Sequence, residues 1–406
     1  MDLPLSVLVM FPLLAAAAPI LAAVAGRVVR IPLVVFEIVL GIVFGPAVLG
    51  WVAPTDATEK LSNLGLCMLF FLAGNEIDFR RIRGRPLTSS ILGWLFALVV
   101  GVGAAWALAP TPTAGIFVGI ALTSTALGTL MPILRDAGEL RTPFGAAIIA
   151  IGAVGEFGPL IAISLFLSGR QPGVATVVLL AFVVITAVAI GLAGRGTHSR
   201  LTSLVTATLH TSGQFAVRLV LCLLLLLVAL SLLLGLDMLL GAFAAGVIAK
   251  LLLSGASPRD KEAIEGKLEA VGFGFLVPIF FISTGLTFDL DALLDQPLTL
   301  LLLPVFLLLL LAVRGTSTLF TTRGLPRADR RAAMLLGATG LPIVVAVTDI
   351  GVKSGDLPAG TAAALVGAGM LSVLLYPLLG LALHRRAPGG GVKPADRDVP
   401  EIAEEG

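Results

Sequence analysis

Residues 142–169 read TPFGAAIIAIGAVGEFGPLIAISLFLSG, a helix-length apolar run with one carboxylate, Glu156, near its centre. Fifteen positions separate Glu156 from Arg141 and fourteen separate it from Arg170. At a helical rise of about 1.5 Å per residue, Glu156 lies roughly 21 Å from either charged end, in the middle of a bilayer. A charge at that depth costs about 2.5–3.5 kcal/mol on insertion scales, so it usually marks an ion or proton pathway. The structural alternative is a protonated glutamate satisfied by a neighbouring helix.

The rest of the chain supports a membrane reading. Its 406 residues are 57% hydrophobic and 13% charged, and the mean hydropathy is +1.06, outside the range of soluble domains of this length. The N-terminus carries Asp2 and no basic residue before a run long enough to span, so it reads as a first span rather than a cleaved signal. Cys67 and Cys222 lie in apolar runs and suggest neither a disulfide framework nor a thiolate metal site. His198, His210 and His384 sit in or beside hydrophilic segments without ligand-like spacing and read as solvated or interfacial.

Helix-length apolar runs occur at about 3–25, 32–50, 61–77, 87–109, 112–134, 143–169, 173–194, 214–235, 237–254, 269–288, 297–322, 329–351 and 359–383. The fold class is therefore an all-α polytopic membrane protein of about 13 spans. Connections after odd-numbered spans, with the C-terminal tail, hold 23 of the 27 Lys and Arg residues, and those after even-numbered spans hold only Lys60, Arg170 and Lys353. The positive-inside rule then places the N-terminus outside and the C-terminus in the cytoplasm.

Thirteen spans divide into two inverted halves of six joined by the seventh, so that spans 1–6 match 8–13. The matching spans 5 and 12 carry LTSTALGTLMP (residues 122–132) and GATGLP (residues 337–342), each a hydrophobic run broken by hydroxyls, Gly and Pro. Paired interruptions of this kind are the sequence signature of discontinuous helices around a midplane site. Close helix packing through small residues is the plainer explanation of each one alone. Arg314, within span 11, is nine residues from Arg323 and about 13 Å inside the boundary. It stays protonated and needs an acceptor, for which Glu156 is the candidate at comparable depth; a side chain snorkelling to the interface is the alternative. Glu37 in span 2 lies nearer the inner face and reads as a structural or gating residue. Asp349 reads as an outer vestibule residue, and Asp237 as a turn residue.

These residues, in this order, resemble the monovalent cation/proton antiporters of the sodium/hydrogen exchanger superfamily. The likeness is carried by RIPLVVFEIVLGIVFGPAVLG (30–50), LGLCMLFFLAGNEIDFRRIR (64–83), LTSTALGTLMPILRDAGELRTPFG (122–145), LGLDMLLGAFAAGVIAK (234–250) and LVPIFFISTGLTFDL (276–290). The resemblance implies dimerisation-domain spans in residues 1–85 and 214–296, and a core transport domain in 86–170 and 297–386. A linker in 171–213 joins the halves, and residues 387–406, rich in Gly, Pro and charge, read as a disordered cytoplasmic tail with no nucleotide-binding domain. It places Glu156 where relatives carry their ion-binding Asp and Arg314 where many carry Lys. Relatives usually precede that acid with Asp, Asn or Gln, whereas Gly155 stands here.

The expected function is alternating-access exchange of a monovalent cation, Na+ or K+, for H+, one for one, in a homodimer of a bacterial inner membrane. Glu156 would bind the cation with help from Thr123, Ser124, Thr125 and Thr339, while Arg314 would hold the bare carboxylate. Gly155, Gly340 and Pro342 are assigned structural or gating roles beside Glu37. No cofactor, resident metal or nucleic-acid partner is expected. A cation channel or uniporter, or a carrier of another small solute, is possible on the same scaffold. An intramembrane enzyme is disfavoured: no HExxH is present, no acids pair at one depth, and no Ser lies with a His inside the spans. A receptor is disfavoured because no extramembrane segment is long enough to fold.

Overall fold

The computed structural model describes residues 5–26, 31–77, 82, 84–109, 111–166, 172–195, 214–253, 257–294 and 297–385. Loop 196–213 with His198 and His210, and the tail 387–406, lie outside the described residues. So do Arg27, Arg30, Arg80, Arg81, Arg83 and Arg170. The described part is helical throughout: α1 (Leu5–Ala25), α2 (Leu33–Phe44), α3 (Asp56–Glu76), α4 (Arg85–Leu108), α5 (Pro112–Leu122), α6 (Leu127–Asp136), α7 (Pro143–Phe166), α8 (Pro172–Arg195), α9 (Phe215–Leu233), α10 (Met238–Leu253), α11 (Pro258–Val271), α12 (Val277–Leu286), α13 (Leu290–Leu294), α14 (Pro297–Leu309), α15 (Arg327–Gly337), α16 (Pro342–Lys353) and α17 (Ala359–Arg385). Nine segments are long and apolar enough to cross a membrane among the described residues, and three shorter apolar helices join them. With α3 (span 3), whose acids lie toward its two ends, the candidate spans among the described residues number thirteen.

Spans 5 and 12 are broken where the sequence indicates. Residues 123–126 separate α5 from α6, and residues 338–341 separate α15 from α16. Span 11 is also irregular, since α14 passes into a π-helical turn at Leu310–Gly315 that includes Arg314. A π turn inserts an extra residue and so changes which side chain faces inward. Most of α14 presents leucines to the outside, whereas Arg314 is 1% exposed.

The helices group by their packing. Helices α1, α2, α3, α9, α10 and α12 pack among themselves, and α4 to α7 pack with α14 to α17. Slighter contacts of α3 with α6, α7 with α10 and α2 with α17 connect the groups. The strongest pairs in the first group are α3 on α10 and α2 on α12. These are spans 3 with 9 and 2 with 10, and each pair becomes the other when the two halves are exchanged, as inverted repeats require. Both contacts are backbone-close. A Cβ on Gly41 would lie 2.8 Å from the Gly285 Cα, and one on Gly285 would lie 2.7 Å from the Gly41 Cα. Only glycine permits such an approach, and dispersion over the close surface then holds helices that lipid alone would not drive together.

Candidate ion-binding site at the helix crossing

The site follows from one proline. Pro159 lies inside α7 and has no N–H to donate to the carbonyl four residues earlier, which belongs to Gly155. That carbonyl accepts instead from the Thr125 N–H of the broken span 5, at 3.0 Å. The next amide, Ala126 N–H, donates to the Thr339 carbonyl of the broken span 12 at 2.7 Å. The Thr125 hydroxyl donates to the Gly337 carbonyl at 2.6 Å. The two unwound segments therefore cross each other against the middle of α7, and their freed backbone groups satisfy one another inside the protein, as backbone at membrane depth must.

Arg314 is built into the same crossing. Its Nε donates to Thr125 Oγ1 at 2.7 Å, Nη1 to Ser317 Oγ at 3.1 Å, and Nη2 to the Ile151 carbonyl at 2.6 Å. No ion pair joins Arg314 to Glu156 among the described residues, unlike the pairing anticipated from their depths. The guanidinium lies against α7 at Gly155, where it would collide with a Cβ, so glycine at 155 makes room for it. Its positive charge lies beside the carboxyl-terminal ends of α5 and α15, where the helix dipoles are negative.

Glu156 faces the opposite pole. The Leu127 N–H, at the first turn of α6, is directed at its carboxylate, and Oε2 has no hydrogen-bond partner among the described residues. A helix amino terminus is a ready anion site, so the carboxylate is held by the α6 dipole as Arg314 is by the carboxyl-terminal ends. The side chain is 2% exposed and lines a cavity of about 370 Å³ with Glu37, Thr129, Phe281 and Pro342. That cavity reaches Ile31, Ala137 and Arg385, at the arginine-rich end of the molecule. A second cleft of about 490 Å³ opens at the other end, lined by Asp56, Glu59, Asp289, Asp349 and Lys353. The two are separated by about one helical turn. Leu69 faces the first and Leu66 the second, Phe281 and Phe280 do likewise with rings 4.8 Å apart, and so do Pro342 and Val345.

The remaining sequence candidates are placed as follows. The Thr123 and Ser124 hydroxyls cap α5 by donating to the carbonyls of Ile120 and Ala121 at 2.7 and 2.8 Å. The Thr339 hydroxyl donates to the Leu335 carbonyl at 3.3 Å. Neither these three residues nor Thr125 is among the lining of the Glu156 cavity. Gly340 is clasped by Ser372, whose Oγ accepts from the Gly340 N–H at 3.1 Å, and Pro342 opens α16. Glu37 is 3% exposed, and no hydrogen bond or ion pair engages it among the described residues. Asp349 and Lys353 lie together at 3.0 Å beside the second cleft. Asp237 caps α10 by accepting from the Leu239 N–H.

Three residues were missed or misread from sequence. Thr129 shares the Glu156 cavity and stands in the quoted break of span 5, but looks like one more helix residue there. Glu76, at the end of α3, has one buried oxygen without a partner among the described residues and lies near enough to Glu156 for their charges to repel; beside a basic loop it passes for a solvated acid. His384 is not solvated. It is 5% exposed, with Nδ1 2.9 Å from Asp329 Oδ1, Nε2 2.9 Å from Glu139 Oε1, and its ring stacked on Phe144 at 4.1 Å.

A sequence profile for the transmembrane region of sodium/hydrogen exchangers matches residues 13–381. The chain belongs to the sodium/hydrogen exchanger family. Among curated members of that family, it is 27% identical over 375 residues to the putative Na(+)/H(+) antiporter YjbQ of Bacillus subtilis, covering 88% of this chain and 59% of that longer protein. It is 26% identical over 359 residues to a Na(+)/H(+) antiporter of Enterococcus hirae, covering 86% and 91% of the two chains. The fold of this family member superposes on the sodium proton antiporter MjNhaP1 of Methanocaldococcus jannaschii with a TM-score of 0.62 and 16% identity, over 92% and 95% of the two chains. It is thus a multi-pass membrane protein of a transporter family with the architecture of the exchangers.

Proposed function

We propose that this chain is a secondary active transporter that exchanges a monovalent cation, Na+ or K+, for H+ by alternating access, one for one. The observation that carries the reading is Glu156: a single buried carboxylate on a helix amino terminus, opening into one cavity and lying about a turn from a second. The deprotonated carboxylate attracts a cation, and protonation removes the charge and releases it. One carboxylate can hold one cation or one proton, which couples the fluxes one to one and moves no net charge.

The packing of α4 to α7 with α14 to α17 supports a core that moves against the remaining helices, carrying Glu156 from one cleft to the other. By the distribution of Lys and Arg, the Glu156 cavity faces the cytoplasm and the N-terminus lies outside; in this reading the membrane is a bacterial inner membrane. Spans 1–3 and 8–10 form the homodimer contact in this reading, which light scattering of the purified protein in detergent tests.

The deciding experiment uses proteoliposomes with an imposed proton gradient and a trapped pH probe, to which Na+, K+ and Li+ are added in turn. Cation-triggered proton movement in the wild type and its loss in Glu156→Gln are the expected results. Exchange persisting in that variant, or silence of the wild type with every cation, overturns the proposal.

A further inference from the structure

The Glu156 cavity holds a second carboxylate that exchange at a single site does not use. Glu37 lies on α2, in the helix group opposite the one that carries Glu156. It is 3% exposed, lines the cavity, and has neither hydrogen bond nor ion pair among the described residues. Burying an unpaired carboxylate is costly, and nothing in the packing of α2 requires one there. Its helix is tied into that group: Gly41, one turn further along α2, is in backbone contact with Gly285 of α12.

The surroundings indicate what the carboxylate is for. Most of the cavity wall is apolar, and Arg385 stands at its mouth. A cation approaching Glu156 meets a repulsive charge and then a low-dielectric space, in which a like-signed guanidinium and lost hydration both oppose it. A carboxylate on the wall beyond Arg385 offsets both and raises the local cation concentration. The second cleft has no buried counterpart among the described residues, because its acids Asp56, Glu59, Asp289 and Asp349 are all exposed.

We infer that Glu37 is a second monovalent-cation station, fixed on the stationary wall of the Glu156 cavity and serving only the arginine-rich face. This rests on the exchange reading above. Because Glu37 stays behind when the core moves, it acts on cations arriving from one side of the membrane alone.

Two measurements test it. In vesicles of defined orientation, Glu37→Gln is expected to raise the apparent KM for the cation at the arginine-rich face about tenfold relative to that at the opposite face, while Glu37→Asp restores the wild-type ratio. An equal rise at both faces, an unchanged ratio, or loss of exchange in both directions overturns the inference. In detergent, equilibrium binding of radioactive sodium is expected to persist weakly in Glu156→Gln and to disappear in the Glu37→Gln, Glu156→Gln double variant. Identical binding in those two proteins overturns it. This second arm needs no transport, so a failure of exchange in the wild type sinks the functional reading without deciding the fate of Glu37.

Discussion

Residue 155 and Arg314 occupy one volume. A side chain at 155 would have its Cβ within 2.6 Å of Thr125 Oγ1 and closer still to the guanidinium, so glycine there and arginine at 314 belong together. Placing Asn at 155 beside the native Arg314 is expected to destabilise by about 1–3 kcal/mol, the usual range for overpacking. With Arg314→Lys, whose slim ammonium lacks the planar fork, the same Asn is expected to cost less. Thermal unfolding of the four proteins of this double-mutant cycle measures the coupling, and additivity within about 0.5 kcal/mol would falsify a shared volume. At this scale the sequence revealed the charges but not their partners. Glu156 and Arg314 stand out because apolar neighbours surround them. Of the groups that hold Arg314, Ser317 is local, but Thr125 and Ile151 are 189 and 163 positions away in the chain, so depth alone does not name its partners.

Elements broken on purpose leave a local mark, whereas elements tied together at their ends do not. The interruptions of spans 5 and 12 were legible because Gly, Pro and capping hydroxyls each weaken a helix by a known mechanism. The π turn at Leu310–Gly315 was not legible, since its one Gly follows Arg314 at the end of an apolar run, with no Pro in the turn to indicate a break. The clasp around His384 was equally hidden: it joins the end of α17 to the first turn of α15 and to the 3-10 turn Glu139–Arg141 that precedes α7. Asp329 and Glu139 are 8% and 5% exposed, and Thr142 Oγ1 donates to the second Glu139 oxygen at 2.7 Å. Replacing His384 by Phe keeps the stack on Phe144 but leaves two buried carboxylates without their shared partner. That variant is expected to lose about 3–5 kcal/mol, and adding Glu139→Gln and Asp329→Asn to recover most of it. Melting in detergent separates the cases. A His384→Phe protein as stable as the wild type would show that the clasp holds nothing.

Over the whole molecule, the two helix groups meet along the line between the clefts, and a polar tie spans them at the end remote from the Glu156 cavity. Lys353 of α16 reaches Glu59 of α3 at 2.6 Å while also contacting Asp349 of its own helix at 3.0 Å. Both side chains of the Lys353–Glu59 pair are half exposed, so the tie stabilises this arrangement by only about 0.2–1 kcal/mol. A tie that weak suits a carrier, which must let go in every cycle. Making it permanent is the stringent test of relative motion. With Cys222, the exposed native thiol, replaced by Ser, the variants Glu59→Cys and Lys353→Cys are combined and joined by a short bis-thiosulfonate reagent; Cys67 is buried and out of reach. Exchange is expected to stop on joining and to return on reduction, and each single-cysteine control is expected to remain active under the same reagent. If fully joined protein exchanges cations for protons at the unmodified rate, α3 and α16 do not part during transport. The thin layer at Leu66 and Leu69, Phe280 and Phe281, and Pro342 and Val345 would then have to open by side-chain motion alone.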